Sequence, residues 1–142
     1  MTIACYEDGK RYSAADLINA MAHGNLVSRQ VGAFFEKVDP LLTPTIARPP
    51  VPLGEVNQDR KDITAKEWTH QVFSYAPFTP LFDTTGQQAI SLPLHWSAGG
   101  LPIGVQIAGR FADEATLLRL AAQLEQARPW AARRPPTHAA TA

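Results

Sequence analysis

The sequence predicts an α/β fold in which helices flank a few short strands. Apolar residues recur at helical spacing in separate stretches. Ile103-Gly104-Val105-Gln106-Ile107-Ala108 alternates apolar residues with small or polar ones, as a strand does. Ala98-Gly99-Gly100 lies between that run and an earlier strand-like one, where glycine supplies the turn of an antiparallel hairpin. Three short strands make a poor sheet by themselves, so the pattern implies an incomplete unit.

The elements follow in order. Cys5 is placed beside a mobile terminus. Ser13-Ala14-Ala15-Asp16 is a capping signal in which Asp replaces the usual Glu. Leu17, Ile18, Met21, Leu26, Val27, Val31, Phe34 and Phe35 then share a helical period. Gly24-Asn25 interrupts it and either weakens one helix by about 1 kcal/mol or divides it in two. One helix or a kinked pair is expected, ending near Val38 because Pro40 forbids continuation.

Leu41-Leu42-Thr43 reads as a brief buried strand, and the proline-rich stretch Pro44 to Gly54 as an extended loop. Thr64 opens a helix with Trp68, Val72 and Tyr75 on one side, interrupted by Pro77. A short helical piece over Phe78 to Phe82 stops at Gly86. Ala89 to Leu94 is strand-like. Asp113 caps a last helix whose apolar stripe is Leu117, Leu118, Ala121 and Leu124, ended by Pro129. The 142 residues are expected to form a single domain, with 130–142 a flexible tail.

Composition narrows the function. Thirteen basic and thirteen acidic residues cancel, so no basic field exists for nucleic acid or an anionic membrane, and neither partner is expected. Arg133-Arg134 reads as a solvated end. No run approaches the roughly 18 apolar residues of a membrane helix. The start is not a secretory signal. A single cysteine, Cys5, can form no internal disulfide, and a reducing cytoplasm is the simplest compartment.

No self-sufficient active site emerges. Nucleophilic catalysis needs a hydroxyl or thiol, a base within reach and oxyanion donors. None of Ser13, Ser28, Ser74, Ser91 and Ser97 lies in a Gly-x-Ser-x-Gly elbow. Ser13 is explained as a cap, Ser91 as a strand hydroxyl and Cys5 as an idle thiol. His23, His70, His95 and His138 have no zinc-site spacing, so neither metal nor cofactor is expected. His95-Trp96 ends a strand at a loop, where it could line a pocket or simply hold the hairpin. Asp83, among apolar and small neighbours, suits a cap on the turn before Gly86.

Several blocks, in order, resemble the amidase signature family. They are Asp39-Pro40-Leu41-Leu42-Thr43-Pro44-Thr45, Pro52-Leu53-Gly54, Phe78-Thr79, Thr85-Gly86-Gln87, Gly100-Leu101-Pro102-Ile103-Gly104-Val105-Gln106, Phe111-x-Asp113-Glu114-x-Thr116-Leu117-Leu118 and Arg133-Arg134-Pro135-Pro136. Leu94-His95-Trp96 is nearest in wording to the 6-aminohexanoate cyclic-dimer hydrolases of that family. Asp83 stands where the family prefers Asn, and Gln88 where it prefers Pro.

The resemblance implies the C-terminal portion of an enzyme that hydrolyses amide C–N bonds through a lysine, a bridging serine and a nucleophilic serine. It implies part of an α/β/α sandwich around a small mixed sheet, with His95, Trp96 and Asp83 as candidates for the substrate-pocket wall. The serine–glycine segment that carries the family's nucleophile is absent from this sequence, and no lysine here matches the catalytic one. No catalytic residue is therefore assigned, and the chain alone is expected to be inactive. An amide substrate is implied only on completion by an N-terminal catalytic portion. Uncovered edges imply self-association or that missing partner. The alternatives are a non-catalytic binding or assembly module and a small autonomous enzyme.

Overall fold

A computed structural model describes residues 1–135, 137 and 138. Its elements are α1 (Thr2–Gly9), α2 (Ala14–Phe35), β1 (Leu41–Pro44), α3 (Ala65–Tyr75), α4 (Thr79–Thr85), β2 (Ala89–Trp96), β3 (Pro102–Ala108) and α5 (Glu114–Ala127). The three strands form one sheet in the order β1-β3-β2, antiparallel throughout. The mixed sheet implied by the resemblance is corrected to this extent: no strand among the described residues runs parallel to its neighbour.

Register sorts the side chains into two faces. Ile90 lies opposite Ile107 and Leu92 opposite Val105, and this face packs under α5. Leu92, Ile107, Leu117 and Ala121 are its buried centre, with Leu120, Leu124 and Trp130 around them. The stripe of α5 is thus Leu117, Leu120, Ala121 and Leu124; Leu118, expected within it, is 63% exposed. At 100° per residue, positions 117, 120, 121 and 124 fall within an arc of about 100°, and 118 lies about 60° beyond its edge.

The opposite face carries Leu41, Thr43, Ser91, Gln106 and Ala108. Phe35 of α2 and Phe82 of α4 close over Ala108 at one end, their ring centroids 6.4 Å apart. Arg110 donates from Nε and Nη2 to the Phe35 carbonyl, at 3.3 and 3.2 Å, and so satisfies an orphan acceptor at the end of α2.

The capping signals are realised. Ser13 and Asp16 form a complete capping box, as do Thr64 and Glu67. Hydrogen bonds hold the Asp16 carboxyl below the usual carboxylate range, from the Ser13 hydroxyl first and its backbone second. Gly24 does not divide α2. The Ser28 hydroxyl donates to the Gly24 carbonyl at 2.9 Å, and Arg29 Nε donates to Asn25 Oδ1 at 3.1 Å. Only Phe35 of α2 is buried, because the helix meets the rest of the chain chiefly at its C-terminal end. Leu17, Ile18, Met21 and Leu26 remain exposed.

Residues at both ends of the described chain lie against other elements. The first residues form α1, which carries Cys5 and packs against α3. Trp130 to Pro135 folds back along the hairpin, with the Arg133 N–H donating to the Trp130 carbonyl at 2.8 Å. The rest of the expected tail, residues 136 and 139–142, lies outside the described residues.

Candidate functional site

The strand β2 leads from one concave region to another. At its start, the C-terminal end of α4 faces the sheet across a cleft of about 430 Å³. Asp83 stands on its rim, with Gln87 and Gln106 inside. Thr85 Oγ1 donates to the Leu81 carbonyl at 2.8 Å and is also paired with Gln87 Oε1. Gln106 Nε2 donates to Thr43 Oγ1 at 3.2 Å. These bonds let two amide side chains stay buried at 8% and 4% exposure without losing their partners. Asp83 is exposed and makes no side-chain hydrogen bond to the described residues. The turn it was expected to cap is closed by Gly86 instead, whose N–H donates to the Phe82 carbonyl at 2.9 Å while φ is 77°. Gln88, in the position where proline was expected, donates from Nε2 to Glu114 Oε1 at 3.0 Å and so ties this cleft to the first residue of α5. Its own Oε1 is buried without a partner.

At the other end of β2, a strand irregularity between Pro93 and His95 sets His95 opposite Ile103 and Trp96 opposite Pro102. His95 is exposed and Trp96 half-buried. Trp96 forms one wall of a groove of about 790 Å³ with Trp130 and the hairpin loop. The loop is held by Ser97, whose hydroxyl accepts from the Leu101 N–H at 3.1 Å, and by Gly100 at φ 79°. Arg133 is not merely solvated. Its guanidinium carbon stands 4.0 Å from the Trp96 ring centroid. The strand separates this groove from the Asp83 cleft by roughly 20 Å. The fold therefore brings His95 and Trp96 together and leaves Asp83 apart.

Between the two ends lies a polar strip that the sequence did not disclose. Thr45 Oγ1 and Ser91 Oγ are 2.6 Å apart above Gly104, and the Thr45 N–H donates to the Gly104 carbonyl at 3.0 Å. Thr45 is far from Ser91 in sequence, so only pairing of β1 and β2 to the two sides of β3 unites them. The Thr43–Gln106 bond extends the same strip.

None of the serines whose side chains form hydrogen bonds has a catalytic setting. Ser91 meets a threonine hydroxyl rather than a base, Ser28 bonds its own helix, and Ser13 and Ser97 serve a cap and a turn. Lys10 pairs with Glu7 at 2.8 Å. Cys5 and His70 both border a shallow cleft between α1 and α3, but the thiol turns to Met1 Sδ at 3.4 Å. Among the described residues no group of three or more His, Cys, Asp or Glu could hold a metal ion. None of the described helices is long and apolar enough to cross a membrane.

Comparison with known proteins places these features. The family model described as Amidase matches residues 4–118. The 6-aminohexanoate-cyclic-dimer hydrolase of Paenarthrobacter ureafaciens is 41% identical over 100 residues, which are 68% of this chain and 20% of that protein. AmiC of Mycobacterium leprae, named as an amidase, is 41% identical over 103 residues, covering 72% of this chain and 21% of AmiC. Among solved structures, 6-aminohexanoate cyclic dimer hydrolase superposes with a TM-score of 0.83 at 32% identity, over 89% of this chain and 27% of that one. A glutamyl-tRNA(Gln) amidotransferase subunit from Thermotoga maritima gives 0.66 at 26% identity, over 91% and 26%. The chain thus spans about a fifth to a quarter of the length of the relatives it matches. It carries part of their α/β fold, without the serine–glycine segment, and it belongs to the amidase family.

Proposed function

We propose that this chain serves as the C-terminal portion of an amide-hydrolysing enzyme. In that role it braces and walls a centre whose serine and lysine residues belong to other polypeptide. The observation that carries this reading is the ordered match to a fifth to a quarter of full-length amidases, in a sequence that holds none of the reactive residues. Chemistry agrees: the Ser13, Thr64 and Thr116 hydroxyls that meet carboxylates do so within helix caps, Ser91 meets a threonine hydroxyl, and the Cys5 thiol turns to Met1. The wall would be offered in two separate places, Asp83 at the α4 cleft and His95-Trp96 at the hairpin. A lone exposed cysteine suits a reducing cytoplasm.

The deciding experiment is co-expression with the N-terminal part of an amidase relative, followed by turnover of a simple anilide. Turnover by the pair and by neither part alone is the expected result. A covalent acyl-enzyme on the purified chain by itself would overturn the reading.

A second reading has its own support. The uncovered leucine, isoleucine and methionine side chains of α2 fit a non-catalytic module that assembles with itself or another protein. A stable complex that shows no turnover, with no rescue by the N-terminal part, would favour it.

A further inference from the structure

We infer that the groove between the hairpin and the folded-back segment Trp130–Pro135 binds a small organic carboxylate with an apolar body. Its walls are Trp96, Trp130, Leu101 and Pro102, which suit an alkyl chain or a ring. Its volume of about 790 Å³ falls within the range of small-molecule sites. Arg133 and Arg134 are among its lining residues, and no acidic residue is among those described. Neither arginine forms an ion pair with the described residues.

The position of Arg133 decides the ligand class. Its guanidinium carbon stands over the Trp96 ring, 4.0 Å from the centroid. A guanidinium is a planar fork of N–H donors, and this contact with the ring leaves it without a carboxylate partner among the described residues. A carboxylate matches that fork with two parallel hydrogen bonds, while an uncharged amide offers one acceptor and no charge. Trp96 itself is held, because β2 pairs it with Pro102. Trp130 is held by packing on the α5 face of the sheet. The site is read on this chain alone and goes beyond completion by a catalytic portion.

The test is a titration of the 15N-labelled chain with 4-phenylbutanoate and, separately, with 4-phenylbutanamide, followed through the three tryptophan indole N–H signals. Two indoles should shift saturably with a Kd of about 1 mM for the acid, and the amide should bind about tenfold more weakly. The third, Trp68 on α3, should stay in place. Arg133→Ala should weaken the acid about tenfold and bring it level with the amide. The proposal fails if no saturable shift occurs, if acid and amide titrate alike, or if Arg133→Ala binds the acid unchanged. The acid–amide comparison on the wild-type chain decides the matter even if the variant does not fold.

Discussion

Adding one methyl group at Gly104 tests the packing of the polar strip. A Cβ at this position would lie 2.6 Å from Thr45 Oγ1, 2.8 Å from Ser91 Oγ and 3.1 Å from Thr45 Cβ. Gly104 is in the central strand, with neighbours on both sides, so its backbone has no free direction in which to retreat. Overpacking of this kind costs about 1–3 kcal/mol. Turning the hydroxyls away breaks the Thr45–Ser91 bond, a loss of about 1 kcal/mol. Replacing glycine by alanine returns about 0.4–1 kcal/mol through the unfolded chain. Gly104→Ala should therefore destabilise by about 2 kcal/mol, lowering Tm by roughly 6–10 °C in a chain of this length. Urea unfolding of Gly104→Ala, Thr45→Ala and the double variant measures it. Removing Thr45 Oγ1 takes away the nearest clash, so the glycine change should cost less in the Thr45→Ala background. A neutral or stabilising Gly104→Ala, or strictly additive costs, would refute the reasoning.

Three other outcomes are expected. Leu117→Ala should cost about 2–4 kcal/mol in urea unfolding because its side chain fills the α5 core, whereas Leu118→Ala, one residue on, should stay within about 0.5 kcal/mol. Arg110→Ala should lose about 1 kcal/mol and raise hydrogen exchange in the last turn of α2, since two donors to the Phe35 carbonyl disappear. The Glu67 carboxyl is held below its usual range by hydrogen bonds from the Thr64 N–H first and its hydroxyl second. A depressed folded pKa gives support that is complete above the ordinary glutamate range and lost as pH falls through the folded value. Exchange protection at the start of α3 should therefore decline on acidification, and Glu67→Gln should flatten that decline.

The sequence by itself determined the local structure wherever one short stretch holds both the signal and its physical cause. Ser13–Asp16 and Thr64–Glu67 carry both halves of a cap within four residues, and Gly86 takes up the left-handed turn at the end of α4. The hairpin of β2 and β3 and the missing serine–glycine segment were legible for the same reason. Tertiary structure decided what depends on residues distant in the chain. Periodicity marks an apolar stripe but not its covering, so it could not tell that Leu118 would face outward or that most of α2 would stay bare. The antiparallel order β1-β3-β2 put Thr45 against Ser91 and moved Asp83 to the far end of β2 from Trp96. Trp96 then drew the arginine-bearing end of the chain onto its ring, through a contact between residues 37 positions apart.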